Sequence, residues 1–150
     1  MLGTDENTTS SIEVLRATAR KSGLPNPYVA LMKGGDPAQA WKTAQQFGLD
    51  AISAYTMFTN PTKAAGAPYE SSIAEFEQSF WDEAASAGAP IIPPISAGWD
   101  PTPREYIDLP WGDQGKTACV EKLGHPCYVE DPTMPQLAAH TKAGLDFVRA

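Results

Sequence analysis

"YVALMKGGDPAQAWKTAQQFGLDAISAYTM", Tyr28 to Met57, decides the fold class. Its first five residues form a compact apolar run of strand length. Asp36-Pro37-Ala38-Gln39 then reads as a helix start. Asp36 is the N-cap, Pro37 takes the first helical position where its missing N–H is no loss, and Gln39 takes the third. Ala40, Trp41, Ala44 and Phe47 share one side of that helix, and Gly48 stops it. Leu49 to Met57 is a second strand-like run. Two such runs joined by an amphipathic helix make a βαβ unit with parallel strands.

The flanks repeat the pattern. Upstream, Ser10-Ser11-Ile12-Glu13 has the form of a capping box, Ile12, Leu15 and Ala19 give an apolar helical face, and Gly23 ends it. Downstream, the Gly- and Pro-containing loop "FTNPTKAAGAPYESS" leads to a helix carrying Ile73, Phe76, Phe80, Ala84 and Ala87, closed by Gly88. "PIIPPI", Pro90 to Ile95, is expected as a third strand, unusual because each proline removes a ladder donor. After Arg104 the regularity lapses through Pro132, a length that in compact domains usually signals function. Thr133 to Gln136 forms another capping box, and Leu137, Thr141, Leu145 and Val148 continue as a helix.

The order is therefore α-β-α-β-α-β-loop-α, an α/β fold of parallel βα units. Three strands are few for a finished parallel sheet, and a (β/α)8 barrel takes about 250 residues. The expectation is a single segment, residues 1–150, of a TIM-type (β/α)8 barrel, lacking upstream strands and the last strand. A small three-strand sandwich is the other architecture with this order.

Composition narrows the function classes. A net charge of -7 with no Lys/Arg-rich run disfavours nucleic acid as a partner. No apolar run approaches the roughly 18 residues of a membrane span. The polar N-terminus "MLGTDENTTSS" carries no apolar signal core; the location stays open, with extracellular or periplasmic compatible. Cys119 and Cys127 read first as plain thiols, with a disulfide as the alternative in an exported protein. A metal reading with His125 is weakest, because it lacks a fourth ligand and Cys-x-x-Cys spacing. No metal and no cofactor is expected.

Parallel α/β folds bind ligands where strands end. At the first strand end, Lys33-Gly34-Gly35-Asp36 is a tight turn with an N-cap; a phosphate site there is a minor alternative without a Gly-x-Gly-x-x-Gly or Gly-Lys-Ser pattern. At the second, Tyr55 either lines a pocket or packs between elements. Glu70, after Tyr69, suits a helix N-terminus through the dipole. The third end, "APIIPPISAGWDPTPR", holds Trp99 beside Asp100 and Arg104 on a proline-stiffened loop. An aromatic face for a sugar ring, with charged groups for its hydroxyls, is one reading. An Asp100–Arg104 pair with Trp99 packed beneath the long loop is the other.

"PPISAGWDPTPR" resembles the strand and loop of a group of carbohydrate-active (β/α)8 barrels: glycoside hydrolase family 99, family 71 and the WbsX-like domains. The likeness runs from about Tyr28 to Val148. Its specific element, Gly-Trp-Asp-x-x-Pro-Arg, falls on Gly98, Trp99, Asp100, Pro103 and Arg104. The resemblance implies an oligosaccharide or polysaccharide substrate, with Trp99, Asp100, Arg104 and Tyr55 lining the sugar site. It also implies that the acidic catalytic residues lie on strands before this segment, and a Trp-Asn-Glu strand after it. Glycosidases need two carboxylates; here Asp100 is the strand-end candidate, and the second catalytic residue is unassigned. A partial barrel would also expose sheet edges and apolar helix faces, so self-association is expected. A non-catalytic carbohydrate-binding or interaction module is the alternative.

Overall fold

The computed structural model describes residues 5–55, 65–100, 124 and 127–150. In chain order they form α1 (Asp5–Lys21), β1 (Ala30–Met32), α2 (Pro37–Gln46), β2 (Ala51–Ser53) and β3 (Ala65–Ala67). A π-helical turn (Glu70–Ala74) then runs directly into α3 (Glu75–Ser86), followed by β4 (Tyr128–Val129) and α4 (Met134–Arg149). The fold is mixed α/β with short parallel strands. It divides into two compact units: one holds the described residues up to Tyr55 with Phe80–Pro94, the other those from Ala65 to Ser79 and from Ile95 onward.

In the first unit β1 and β2 run parallel, with Leu31 opposite Ile52. Ile91 bridges the other side of β2: Ile52 N–H donates to the Pro90 carbonyl at 2.9 Å, and Ile92 N–H to the Ile52 carbonyl at 3.0 Å. The expected third strand is thus a single bridge. Pro93 and Pro94 have no N–H to continue the ladder, which limits it to that length. The first two strands are also shorter than the apolar runs that announced them, since only residues with a parallel neighbour join the ladder.

α2 follows the sequence closely. Asp36 Oδ1 accepts the N–H groups of Ala38 at 2.8 Å and Gln39 at 3.3 Å. Ala40, Ala44 and Phe47 are buried. Gly48 leaves the helix at φ +67°, a left-handed conformation that strains any residue with a Cβ. α1 departs from expectation. It already spans Asp5, so Ser10 is interior and caps nothing. Its inward line is Ile12, Arg16 and Ala19, while Leu15 is exposed. Arg16 faces inward because Asp50 meets it: their 2.7 Å ion pair uses the carboxylate oxygen that also accepts the Val29 N–H at 2.7 Å.

The second unit contains pairing that the sequence did not announce. β3 and β4 are parallel, with Ala67 opposite Val129, and Trp99 bridges Val129 in the antiparallel sense. Tyr69, Ile73 and Val129 form a small buried core, against which Ala67, Ala74 and Trp99 pack. Cys127, immediately before β4, is buried and disulfide-bonded, which corrects the plain-thiol reading. Cys119, the other cysteine of the sequence, and His125 lie outside the described residues.

α4 starts as expected, with a capping box of Thr133 and Gln136. Its inward face is not the expected one. Thr141, Leu145 and Val148 are exposed, and the face turned inward carries Leu137, His140, Ala143, Gly144 and Phe147. α3 and the turn leading into it keep Ile73, Phe80 and Ala84 of the expected face buried, but Phe76 and Ala87 are exposed, and Glu77 and Trp81 are completely buried.

Candidate functional site

The second unit buries a linked set of polar groups. The π-helical turn and α3 set Tyr69, Ile73 and Glu77 at four-residue steps on one buried face, so a phenol and a carboxylate point inward with an isoleucine between them. α4 contributes His140, which Gly144, buried one turn on, leaves room for. The segment after the proline pair contributes Ser96, two residues before Gly98.

Ser96 is held at three atoms. Its Oγ–H donates to Glu77 Oε1 at 2.5 Å and its N–H to Glu77 Oε2 at 3.1 Å, while its carbonyl accepts the Tyr69 hydroxyl at 2.8 Å. The same hydroxyl lies 2.6 Å from His140 Nδ1. His140 Nε2 lies 3.4 Å from Glu77 Oε2. That last distance fits an ion pair, but burial argues for a neutral one. It pushes the Glu77 carboxyl above its usual range, with the two Ser96 bonds opposing, and pushes the His140 imidazole below its usual range. Both effects move the proton from imidazole to carboxyl. Burial, with the Glu77 and Glu70 carboxylates nearby, raises the Tyr69 phenol to about 12, so it remains a donor at neutral pH.

Above Ser96 stands the Gly98-Trp99-Asp100 turn. Val129 N–H donates to the Trp99 carbonyl at 2.8 Å. Gly98 has φ +121°, a conformation that demands glycine, and a Cβ there would lie 2.8 Å from Asp131 Oδ1, so the Asp131 side chain would also have to move. Trp99 is half-buried and Asp100 exposed. Trp99 packs on the Tyr69–Ile73–Val129 core and remains half accessible; the long loop of the other reading lies outside the described residues. Tyr55 belongs to the first unit, at the end of β2, and is 87% exposed, which rules out its packing between elements. Arg104 lies outside the described residues. Glu70 does occupy a helix start, where its carboxylate accepts from the Gln136 side chain.

Sequence reasoning missed Glu77, His140 and Asp131. Glu77 was in phase with Ile73, Phe80 and Ala84, but a carboxylate is normally assigned to solvent. His140 had a signal too, since Ala143 and Gly144 give its side of α4 the small residues that allow close approach. Asp131 becomes a neighbour of Gly98 only through the Trp99–Val129 bridge. Among the described residues no group of three or more His, Cys, Asp or Glu side chains could hold a metal ion, and no helix is long and apolar enough to cross a membrane. No family model, curated protein or solved structure matches the chain.

Proposed function

We propose that this chain is a portion of a carbohydrate-active, glycoside-hydrolase-like (β/α)8 barrel, with a sugar-contacting loop from Trp99 to Arg104. In the complete protein the activity is hydrolysis of glycosidic bonds. The observation that carries the reading is the Gly98-Trp99-Asp100 turn. A half-exposed indole sits at the end of a β-bridged segment, flanked by Asp100 and with Asp131 against Gly98. An indole face stacks on the apolar face of a pyranose, and carboxylates accept its hydroxyls. The parallel pairing of β1, β2 and Ile91, with α2 as the crossover, is the βα pairing that such a barrel repeats.

The test is titration of the chain with neutral oligosaccharides, followed by isotope-edited NMR, together with Trp99→Ala. Saturable shifts at the 98–100 amides, lost in the variant, are expected. Binding that survives Trp99→Ala would remove the loop from the site. Glycosidase activity of the 150-residue chain by itself would overturn the view that it is a portion of a larger catalytic barrel.

A non-catalytic carbohydrate-binding module is favoured by one observation. Glu77, the carboxyl group with raised proton affinity, is buried and engaged by Ser96 and His140, and is not offered to a sugar. Absence of hydrolysis in every longer form of the protein, with sugar binding retained, would decide for it.

A further inference from the structure

We infer that Ser96, Glu77, His140 and Tyr69 form a ring of four hydrogen bonds closed by the 3.4 Å Glu77–His140 contact, that the ring holds one proton shared between Glu77 and His140, and that this proton fixes the segment leading to Gly98-Trp99-Asp100. The inference stands apart from any sugar reading of that loop.

The geometry follows from counting donors. The ring has five contacts: Ser96 Oγ to Glu77, Ser96 N to Glu77, Glu77 to His140, His140 to Tyr69, and Tyr69 to the Ser96 carbonyl. Four of them are hydrogen bonds and need one hydrogen each; the Glu77–His140 contact, at 3.4 Å, is a charge contact that falls short of hydrogen-bond alignment. The Ser96 carbonyl can only accept, so the single phenolic hydrogen of Tyr69 goes there. His140 Nδ1 must then donate to the Tyr69 oxygen, which fixes the tautomer. Nε2 is left facing Glu77 Oε2, and that contact is complete with one proton between them. A second proton would set N–H against O–H; its removal would set a lone pair against a buried carboxylate. Either change disrupts the ring at Glu77, which holds both the N–H and the hydroxyl of Ser96.

Among the described residues, the titratable groups facing the pair are Tyr69 and, beside it, Glu70 from the π-helical turn, and Ser96 supplies a hydroxyl and main chain. In the unfolded chain the ordinary values are 4.5 for Glu77 and 6.5 for His140. Between them the unfolded pair also carries one proton, so folding moves none. The Glu77 value is raised on folding, so its contribution is complete below 4.5 and is lost as pH rises through the folded value. The His140 value is lowered, so its contribution is complete above 6.5 and is lost as pH falls through the folded value. Taken singly, neither contribution is complete between 4.5 and 6.5. Because the folded pair holds one proton jointly, folding releases one below 4.5, moves none between the two values and takes one up above 6.5, so the ring is most favourable in that interval.

The first test is long-range 1H–15N NMR of the intact chain labelled at histidine, with His125→Gln leaving His140 as the single imidazole. Nδ1 is expected to be the protonated nitrogen near pH 6, and a neutral ring protonated at Nε2 would overturn the ring. The backbone amide signals of Ser96 and Trp99 are expected to move with the same midpoint as the His140 nitrogens; amides that stay in place through that titration would overturn the coupling. The second test is Glu77→Gln, whose amide can supply the hydrogen to Nε2 but cannot titrate. Above pH 4.5 the ratio of unfolding constants of the parent and this variant should change by up to about tenfold per pH unit. Parallel profiles would overturn the shared proton even if both proteins fold.

Discussion

The two units bury their interiors by different means. In the first, α2 lies on β1 and β2 with Ala40, Ala44, Phe47, Ala51 and Ile52 out of water. In the second, the apolar core of Tyr69, Ile73 and Val129 adjoins a ring containing a buried carboxylate and imidazole. Apolar burial is non-directional and tolerates small changes of angle. A buried polar ring is directional, and every member depends on the others being present. The first unit should therefore respond to lost volume and the second to lost partners or protons.

The largest effect is expected from Ile52→Ala, which empties a fully buried site beside Leu31 and Ile91. It should lower stability by about 4 kcal/mol in urea denaturation, by the same amount at pH 5 and pH 8. A strong pH dependence there would erase the contrast. Glu77→Leu should follow at about 3 kcal/mol, because both Ser96 donors lose their acceptor. Since folding raises the affinity of Glu77 for a proton, this loss should be greatest at low pH and shrink as pH rises. A pH-independent loss would mean that Glu77 only fills space.

Smaller substitutions test what the units share. Asp36→Ala and Thr133→Ala each remove one N-cap, and each should cost about 1 kcal/mol in thermal or chemical denaturation. Equal losses would show that capping is local and indifferent to the kind of core beneath it. Lys142→Ala breaks an exposed pair with Asp146 on α4 and should cost less than about 0.5 kcal/mol, vanishing in high salt.

The legibility of the chain divides along the same line. The Asp36 and Thr133 caps were readable because both partners lie within three residues of each other. The turn glycines 23, 48 and 88 were equally readable, and all three adopt positive φ. The parallel pairing of the first unit followed from βαβ order. The phases of α1, α3 and α4 were readable only in part: Ala19, Ile73, Phe80 and Ala84 are buried as expected. In each helix the sequence offered an apolar residue at Leu15, Phe76 or Leu145, and the structure turned inward a charged or titratable one: Arg16, Glu77 or His140. Trp99 and Asp100 were singled out from an expected strand end, which the structure reduces to the Ile91 bridge; Glu77, His140 and Asp131 were not singled out.

The sequence by itself determined the caps at Asp36 and Thr133, the helix stops at Gly23, Gly48 and Gly88, and the βαβ order of the first unit. Caps, stops and periodicity act through neighbours along the chain, so they are written in consecutive residues. Tertiary structure alone decided which side of each helix faces inward. Arg16 turns inward because Asp50 meets it across 34 positions, and Glu77 because Ser96 and His140 complete its hydrogen bonds. A buried charge or imidazole is stable only with its partner present, and no local pattern carries that partner's position.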